Sequence, residues 1–311
     1  MKQYSSAKEY KNDTGCVLTI GTFDGVHIGH QTILKRVIDT AREAGLDSAL
    51  LTFFPHPRMV LQKESDIRLL STLEEKKKQL QALGLDHLII QPFTKEFSRL
   101  DAEEYVTDIL VGQLNAAKII IGYDHRFGKQ RGADIEDLKR YGDQLGFEVI
   151  EIDAQEIEDV AVSSTKVRNA LLAGDMETAN NYLGYNYPIR GEVVRGKGLG
   201  GPQLNYPTAN LHVAESYKLI PAKGVYIVKS RLKGKTVYGI TNIGTNPTVG
   251  GQDLSIETHF LDIEADLYGS ELKLAFLHYI RQEETFADLG QLKAAIRADE
   301  EYARKYLSTH G

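Results

Sequence analysis

The sequence predicts a two-part chain: an α/β domain on a parallel sheet, followed by a small antiparallel β-barrel with one terminal helix. Three observations predict it. Apolar strand-like runs alternate with helical patterns up to about residue 152, the periodicity shortens to alternating strands from Tyr187 onward, and a last helical pattern runs from Asp288 to Tyr306. Strand–helix alternation implies parallel neighbours, because a parallel pair needs a crossover long enough for a helix. Short strands punctuated by glycine turns imply a barrel. The boundary is expected near 185, giving domains 1–184 and 185–311.

Taken in order, strands are expected near 16–21, 48–54, 86–91, 118–122 and 147–152, with helices near 30–44, 73–83, 101–115 and 134–145. The first helix follows from Leu34, Val37, Ile38 and Ala41 at helical spacing, and it stops at Gly45. Thr72-Leu73-Glu74-Glu75 reads as a capping box opening the second helix, with Gly84 closing it. Lys76-Lys77-Lys78 within that helix reads as a solvated face. In the barrel, Lys233-Gly234-Lys235 joins two alternating runs as a hairpin turn, and further strands are expected near 255–262 and 271–279.

Gly21-Thr22-Phe23-Asp24-Gly25-Val26-His27-Ile28-Gly29-His30 leads from the first strand into the first helix. Its histidines therefore stand at a helix N-terminus, where unpaired N–H groups and the positive dipole end attract anions, and a phosphate is the expected guest. Metal ligation or simple helix capping are the plain alternatives for two histidines three residues apart. There is no Gly-x-x-x-x-Gly-Lys-Ser/Thr loop, so a P-loop cradle is excluded, and chemistry at an α-phosphate fits better. Ser163-Ser164-Thr165-Lys166-Val167-Arg168 opens another helix, with Ser163 or Ser164 as N-cap and Gly174 as terminator. Its hydroxyls, N–H groups and two cations suit a departing pyrophosphate. In an open parallel sheet ligands sit beyond the carboxyl ends of the strands, where His27, His56 and Asp124 all fall.

Composition narrows the class. With 311 residues, 42% hydrophobic and 26% charged, the chain is long enough for two ordinary cores. Cys16 is the one cysteine, which excludes an internal disulfide or zinc ribbon and is compatible with a reducing compartment. No apolar signal region or membrane-length run occurs, so the expectation is a cytoplasmic protein, without membrane association and as a monomer or weak homo-oligomer. A net charge of −6 argues against nucleic-acid binding.

The His27-Ile28-Gly29-His30 element with the 163–168 segment resembles the nucleotidylyltransferase superfamily. The fuller resemblance, essentially end to end, is to the bifunctional prokaryotic riboflavin kinase/FAD synthetase family. It adds Thr52-Phe53-Phe54-Pro55-His56-Pro57, Gly122-Tyr123-Asp124-His125-Arg126-Phe127-Gly128, Pro207-Thr208-Ala209-Asn210 and Glu257-Thr258-His259-Phe260-Leu261-Asp262. The resemblance implies a Rossmann-like parallel-sheet domain that adenylylates FMN and a riboflavin kinase barrel, with riboflavin, FMN and ATP as substrates and Mg2+ as cofactor. It gives His27 and His30 catalytic roles, and nucleotide binding to Gly21, Phe23, Asp24, Gly29 and His56. Asp124 is implied to face ribose or adenine and Arg126 the phosphates. Nucleotide contacts are likewise implied for Ser163, Ser164, Thr165, Lys166 and Arg168.

Gly196-Lys197-Gly198-Leu199-Gly200-Gly201 formally matches a dinucleotide fingerprint, but Pro202 and extended sequence follow where a helix is required. Gly196, Lys197 and Gly198 are better read as a lid over a triphosphate. Thr208 and Asn210, two positions apart, offer oxygen ligands suited to Mg2+, a role the resemblance supports. Glu257 shares a strand face with His259; by resemblance it is the general base that deprotonates the ribityl 5'-hydroxyl. The chain departs from the family pattern at Thr22, Phe54 and Asn205. Three other readings stand beside this one: an aminoacyl-tRNA synthetase, an adenylyltransferase with a barrel that only binds flavin, and a flavin-sensing regulator without turnover.

Overall fold

A computed structural model describes residues 1–62, 66–122, 125–152, 162–195, 206–248, 251–263 and 265–310. It divides into two compact units, Met1–Ser164 and Thr165–Gly311.

Unit one is built on six parallel strands: β1 (Lys2–Tyr4), β2 (Cys16–Ile20), β3 (Asp47–Phe54), β4 (His87–Pro92), β5 (Ala116–Gly122) and β6 (Glu148–Ile152), in the order β1-β4-β3-β2-β5-β6. The strands read as continuous apolar runs because both faces of the sheet are covered. Cys16, Leu18 and Ile20 face one core with Leu51 and Ile119, while Val17 and Ile120 face the other. Helix α1 (Ile28–Ala44) covers the second face through Leu34, Val37, Ile38 and Ala41, and Gly45 ends it with a φ of 64°. A left-handed residue at that position costs glycine nothing, which is why the helix stops there.

A short α2 (Pro57–Leu61) follows β3, and α3 (Leu73–Leu83) carries both halves of the Thr72/Glu75 capping box before ending at left-handed Gly84. The helix expected near 101–115 is α4 (Ala102–Glu104), which runs into a π-helical stretch at Tyr105–Val111. The wider turn buries Tyr105, Val106, Ile109 and Leu110 against the first core. Helix α5 (Ile135–Leu145) precedes β6. β1 was not anticipated: three residues, only one of them hydrophobic, carry no periodicity, and its place is set by pairing with His87–Ile89.

Unit two begins with α6 (Ser164–Leu172), which starts on the last residue of unit one, and α7 (Met176–Leu183). Its barrel comprises β7 (Pro188–Val194), β8 (Ala209–His212), β9 (Gly224–Leu232), β10 (Lys235–Thr248), β11 (Gly251–Phe260) and β12 (Glu271–Arg281), closed in the order β10-β11-β8-β7-β12-β9. The β9–β10 hairpin turns on Lys233 (φ 48°) and Gly234 (φ 82°), two left-handed residues as a twist-matched two-residue turn requires. Terminal helix α8 (Leu289–His310) covers part of the outside, burying Ala303 against Val225, Ile227, Ile240 and Leu261. Arg281 of β12 holds Asp299 of α8 with two hydrogen bonds of 2.9 and 2.8 Å, so the helix is fixed electrostatically as well as by packing.

Candidate active sites

In unit one, β2 lies between β3 and β5, and chain connectivity reverses across it. Such a switch point leaves a crevice at the carboxyl edge of a parallel sheet. The Gly21–His30 turn leaves β2 at that edge, and His56 follows β3 beside it. The turn is conformationally costly: Phe23 (φ 45°), Gly25 (φ 81°) and Val26 (φ 38°) are all left-handed, and for a β-branched valine this is a rare state. Its partners explain how it persists. The buried carboxylate of Asp24 accepts the backbone N–H groups of Leu70 (3.0 Å) and Ser71 (3.2 Å), and the N–H of Gly25 donates to Ser71 Oγ (3.2 Å). The Ser164 hydroxyl donates to the carbonyl of Asp24 at 3.0 Å. Gly21 is required by space, since a Cβ there would stand 2.9 Å from the Phe23 ring.

The turn delivers His27 as the N-cap of α1, its Nδ1 accepting the N–H of His30 at 3.4 Å. With His27 neutral, that bond leaves its proton on Nε2. The two imidazoles stack with centroids 3.7 Å apart, and Phe23 lies 4.6 Å from His30 on its other side. Burial, reinforced by His27 and Lys76, holds His30 well below the ordinary imidazole range. Its Nδ1 is buried and without a hydrogen-bond partner among the described residues. Gly29 is buried at the same helix end. His30 thus stands neutral, stacked on His27 at a helix N-terminus.

Lys76 corrects the expectation of a solvated lysine face. Its side chain is buried and its Nζ donates to the carbonyl oxygen of Thr22 at 2.6 Å, an oxygen that Thr52 Oγ1 also reaches at 3.2 Å. Lys77 pairs with Glu74 and Lys78 is exposed, so the expectation holds only for Lys78 and in part for Lys77. Burial pushes the Lys76 ammonium from its ordinary 10.5 down to about 8, partly opposed by Asp24. That difference corresponds to about 3 kcal/mol of folding free energy forgone at neutral pH, recovered only as pH rises from the folded value towards the unfolded one.

The remaining expected residues of unit one are less tightly gathered. His56 caps α2, its Nδ1 accepting the N–H of Arg58 at 3.2 Å. Arg126 is half exposed and 3.5 Å from Asp134, the N-cap of α5. Gly128 (φ 70°) passes so close to the start of α4 that a Cβ would meet the backbone of Ala102 at 3.1 Å. Ser163 immediately precedes α6 and Ser164 opens it, while Thr165 and Lys166 are exposed and Arg168 is half exposed. Asp124, and in the barrel Gly196, Lys197, Gly198 and Asn205, lie outside the described residues.

In unit two, strand register brings the expected residues together. Asn210 of β8 pairs directly with Glu257 of β11, and Glu257 pairs on its other side with Asn242 of β10. Ile256, Thr258 and Phe260 are buried, so Glu257 and His259 occupy the opposite, partly exposed face. Thr208, two positions before Asn210, is likewise partly exposed. The 207–210 segment enters a strand at Ala209. It is fastened by His259, whose Nδ1 lies 3.0 Å from the carbonyl oxygen of Pro207 and whose ring meets Tyr206 edge-on at 5.0 Å.

Among the described residues no group of three or more His, Cys, Asp or Glu is gathered to hold a metal. Thr208 and Asn210 are nonetheless partly exposed neutral oxygen donors. They fit Mg2+, which keeps substrate phosphates and waters for its remaining positions.

Two family models match the chain, one described as FAD synthetase over residues 9–166 and one as riboflavin kinase over residues 183–307. A bifunctional riboflavin kinase/FMN adenylyltransferase from Listeria monocytogenes is 37% identical over 95% of this chain and 94% of its own length. The chain belongs to the bifunctional riboflavin kinase/FMN adenylyltransferase family. Its relative of the same description from Escherichia coli K12 is 36% identical over 94% of this chain and 93% of its own length. A crystal structure described as a macrolide-efflux protein from Streptococcus pneumoniae shares the fold, with a TM-score of 0.88, 30% identity and coverage of 97% of this chain and 98% of that one. The efflux description belongs to that protein; among the described residues here no helix is long and apolar enough to cross a membrane.

The two family matches frame helices α6 and α7, which the compact units group with the barrel. Within the FAD synthetase match, sequence reasoning missed Leu70, Ser71 and Lys76, the residues that hold the Gly21–His30 turn. A signal existed for the last: Lys76 stands at helical spacing on the apolar stripe of Leu73, Leu80 and Leu83. Within the riboflavin kinase match it missed Asn242, whose relation to Glu257 depends on a pairing that no local pattern encodes.

Proposed function

We propose that this chain makes FMN and then FAD. In the barrel, Glu257 takes the proton of the riboflavin 5'-hydroxyl as that oxygen attacks the γ-phosphorus of ATP. The bond to the β,γ-bridging oxygen breaks and ADP leaves. In unit one, a phosphate oxygen of FMN attacks the α-phosphorus of a second ATP, and diphosphate departs with the bridging oxygen. No covalent enzyme intermediate is needed, since both reactions proceed by direct displacement.

His27 and His30 receive charge on the phosphates at the N-terminus of α1, with Gly21, Phe23, Asp24 and Gly29 shaping the turn beneath them. His56, Asp124 and Arg126 serve the nucleotide, as do Ser163, Ser164, Thr165, Lys166 and Arg168, the last group on the diphosphate side. Thr208 and Asn210 would hold Mg2+, which neutralises charge on the transferring phosphoryl group. Gly196, Lys197 and Gly198, which lie outside the described residues, would serve as the lid over the triphosphate. The proposed functional division is 1–184 and 185–311, in a cytoplasmic enzyme that is a monomer or weak homo-oligomer.

The observation that carries the reading is the direct pairing of Glu257 with Asn210 across β11 and β8, the adjacency that a base and a metal ligand serving one transfer require. It is tested by incubating the full chain with riboflavin, ATP and Mg2+ and separating flavins over time. FMN followed by FAD is expected. FAD from supplied FMN, with none from riboflavin, would overturn the kinase half alone.

A further inference from the structure

The Gly21–His30 turn presents a difficulty for anion binding. A carbonyl oxygen facing an incoming triphosphate repels it, and a turn with three left-handed residues has its carbonyls in unusual directions. At Thr22 the structure resolves this with a buried cation: Lys76 Nζ lies 2.6 Å from the Thr22 oxygen, and its aliphatic stem belongs to the buried stripe of α3. An ammonium so placed does two things. It neutralises the negative end of that peptide dipole, and it leaves positive charge in low-dielectric surroundings behind the phosphate site, where its field is little screened.

We propose that Lys76 is a positioning residue for adenylyl transfer, holding the Thr22 carbonyl inward so that the turn and its two histidines present only positive or neutral groups to ATP. This rests on the reading that unit one adenylylates FMN. Lys76 acts through Thr22 and the turn, without touching the reacting atoms. A purely structural role is a poor account of it, because a buried ammonium at neutral pH lowers stability, and a methionine of similar length fills the same space without that cost.

The titratable groups facing Lys76 are Asp24 from the turn and His30 from α1, with His27 stacked on His30 and Glu75 committed to the Thr72 cap. Imidazoles and carboxylates ordinarily ionise below pH 7, and the terminal phosphates of the substrates near 6 to 7. Between pH 7 and 9.5 Lys76 is therefore the group of this set that changes charge.

The test uses the full chain, with FMN-to-FAD and riboflavin-to-FMN rates measured on the same preparations of wild type, Lys76→Met and Lys76→Arg. Lys76→Met is expected to lower kcat/KM for FAD formation at least 30-fold while FMN formation stays within twofold, and Lys76→Arg to recover part of the loss. In wild type, kcat/KM for ATP in FAD formation should fall as pH rises through about 8, and this limb should vanish in Lys76→Met. If Lys76→Met does not fold, the wild-type profile decides: a fall near pH 8 supports the proposal, and a flat profile to pH 9.5 overturns it. Unchanged FAD formation by Lys76→Met also overturns it, as does an equal loss of both activities. A wild type that forms FMN but no FAD would instead remove the reading on which the proposal stands, and is distinguished by that alone.

Discussion

Asp24→Asn tests the clamp on the Gly21–His30 turn directly. The carboxylate accepts two backbone N–H groups, at 3.0 and 3.2 Å, and is almost wholly buried. Asparagine has the same shape but one acceptor oxygen. It keeps one of the two bonds and turns its own N–H2 toward the other donor. Losing a charge-assisted bond costs about 1.5–3 kcal/mol, and an unsatisfied buried donor about 1–3 kcal/mol more, so a destabilisation of about 2.5–6 kcal/mol is expected in unit one. Since about 1.4 kcal/mol is a factor of ten, amide hydrogens opened by this loss should exchange roughly 10^2 to 10^4 times faster. Hydrogen exchange resolved to peptides over 21–30 and 66–76 reads it, with peptides from β9 as the internal reference. FAD formation should fall while FMN formation persists. Unchanged exchange in both peptides, together with FAD formation within twofold of wild type, would refute the clamp.

Other outcomes follow from the same geometry. Glu257→Gln should lower FMN formation on the order of 10^2 to 10^4, the usual worth of a general base, and leave adenylylation of supplied FMN intact; equal loss of both activities would sink the assignment. His30→Ala should abolish FAD formation and leave phosphorylation, checked by flavin chromatography from each starting substrate. For pH, the folded value of His30 lies below its ordinary 6.5, so the unfolded chain binds the proton more tightly. The stability contributed is complete above about pH 6.5 and is lost as pH falls through the folded value. Urea denaturation of unit one, compared at pH 7.5 and 5.5, should show a smaller acid loss in His30→Gln than in wild type; identical losses would exclude His30 as the source.

Much of the fold was legible because its signals are local. Leu34, Val37, Ile38 and Ala41 fix the buried stripe of α1, Gly45 and Gly84 mark helix ends by their left-handed φ, and the Thr72/Glu75 capping box formed as expected. Lys233-Gly234 announced its hairpin by the same chemistry. What stayed hidden depends on distant partners. β1 and β8 are too short to show periodicity and exist through pairing with β4, and with β7 and β11. The π-helical stretch after α4 is set by how Tyr105 and Ile109 meet the sheet core. Lys76 was concealed by its neighbours: three consecutive lysines read as a charge run, though only the first falls on the stripe of α3. In the candidate sites, residue types on motifs were legible, whereas the clamp of Leu70, Ser71 and Lys76 joins segments that only the folded sheet brings side by side.

A closed barrel is only as secure as its shortest stave. β8 is four residues long and, among the described residues, meets β11 at two positions, Asn210 with Glu257 and Ala209 with Thr258. Among the described residues this is the shortest seam of the ring, and Asn210 stands on it with Thr208 at its threshold. A ligand held by these two residues would act as a rivet: binding the shut ring and not the open one, it would make occupancy and closure one equilibrium. The barrel would then tighten with the logarithm of how far such a ligand exceeds its dissociation constant, and the seam would loosen first when it is withdrawn.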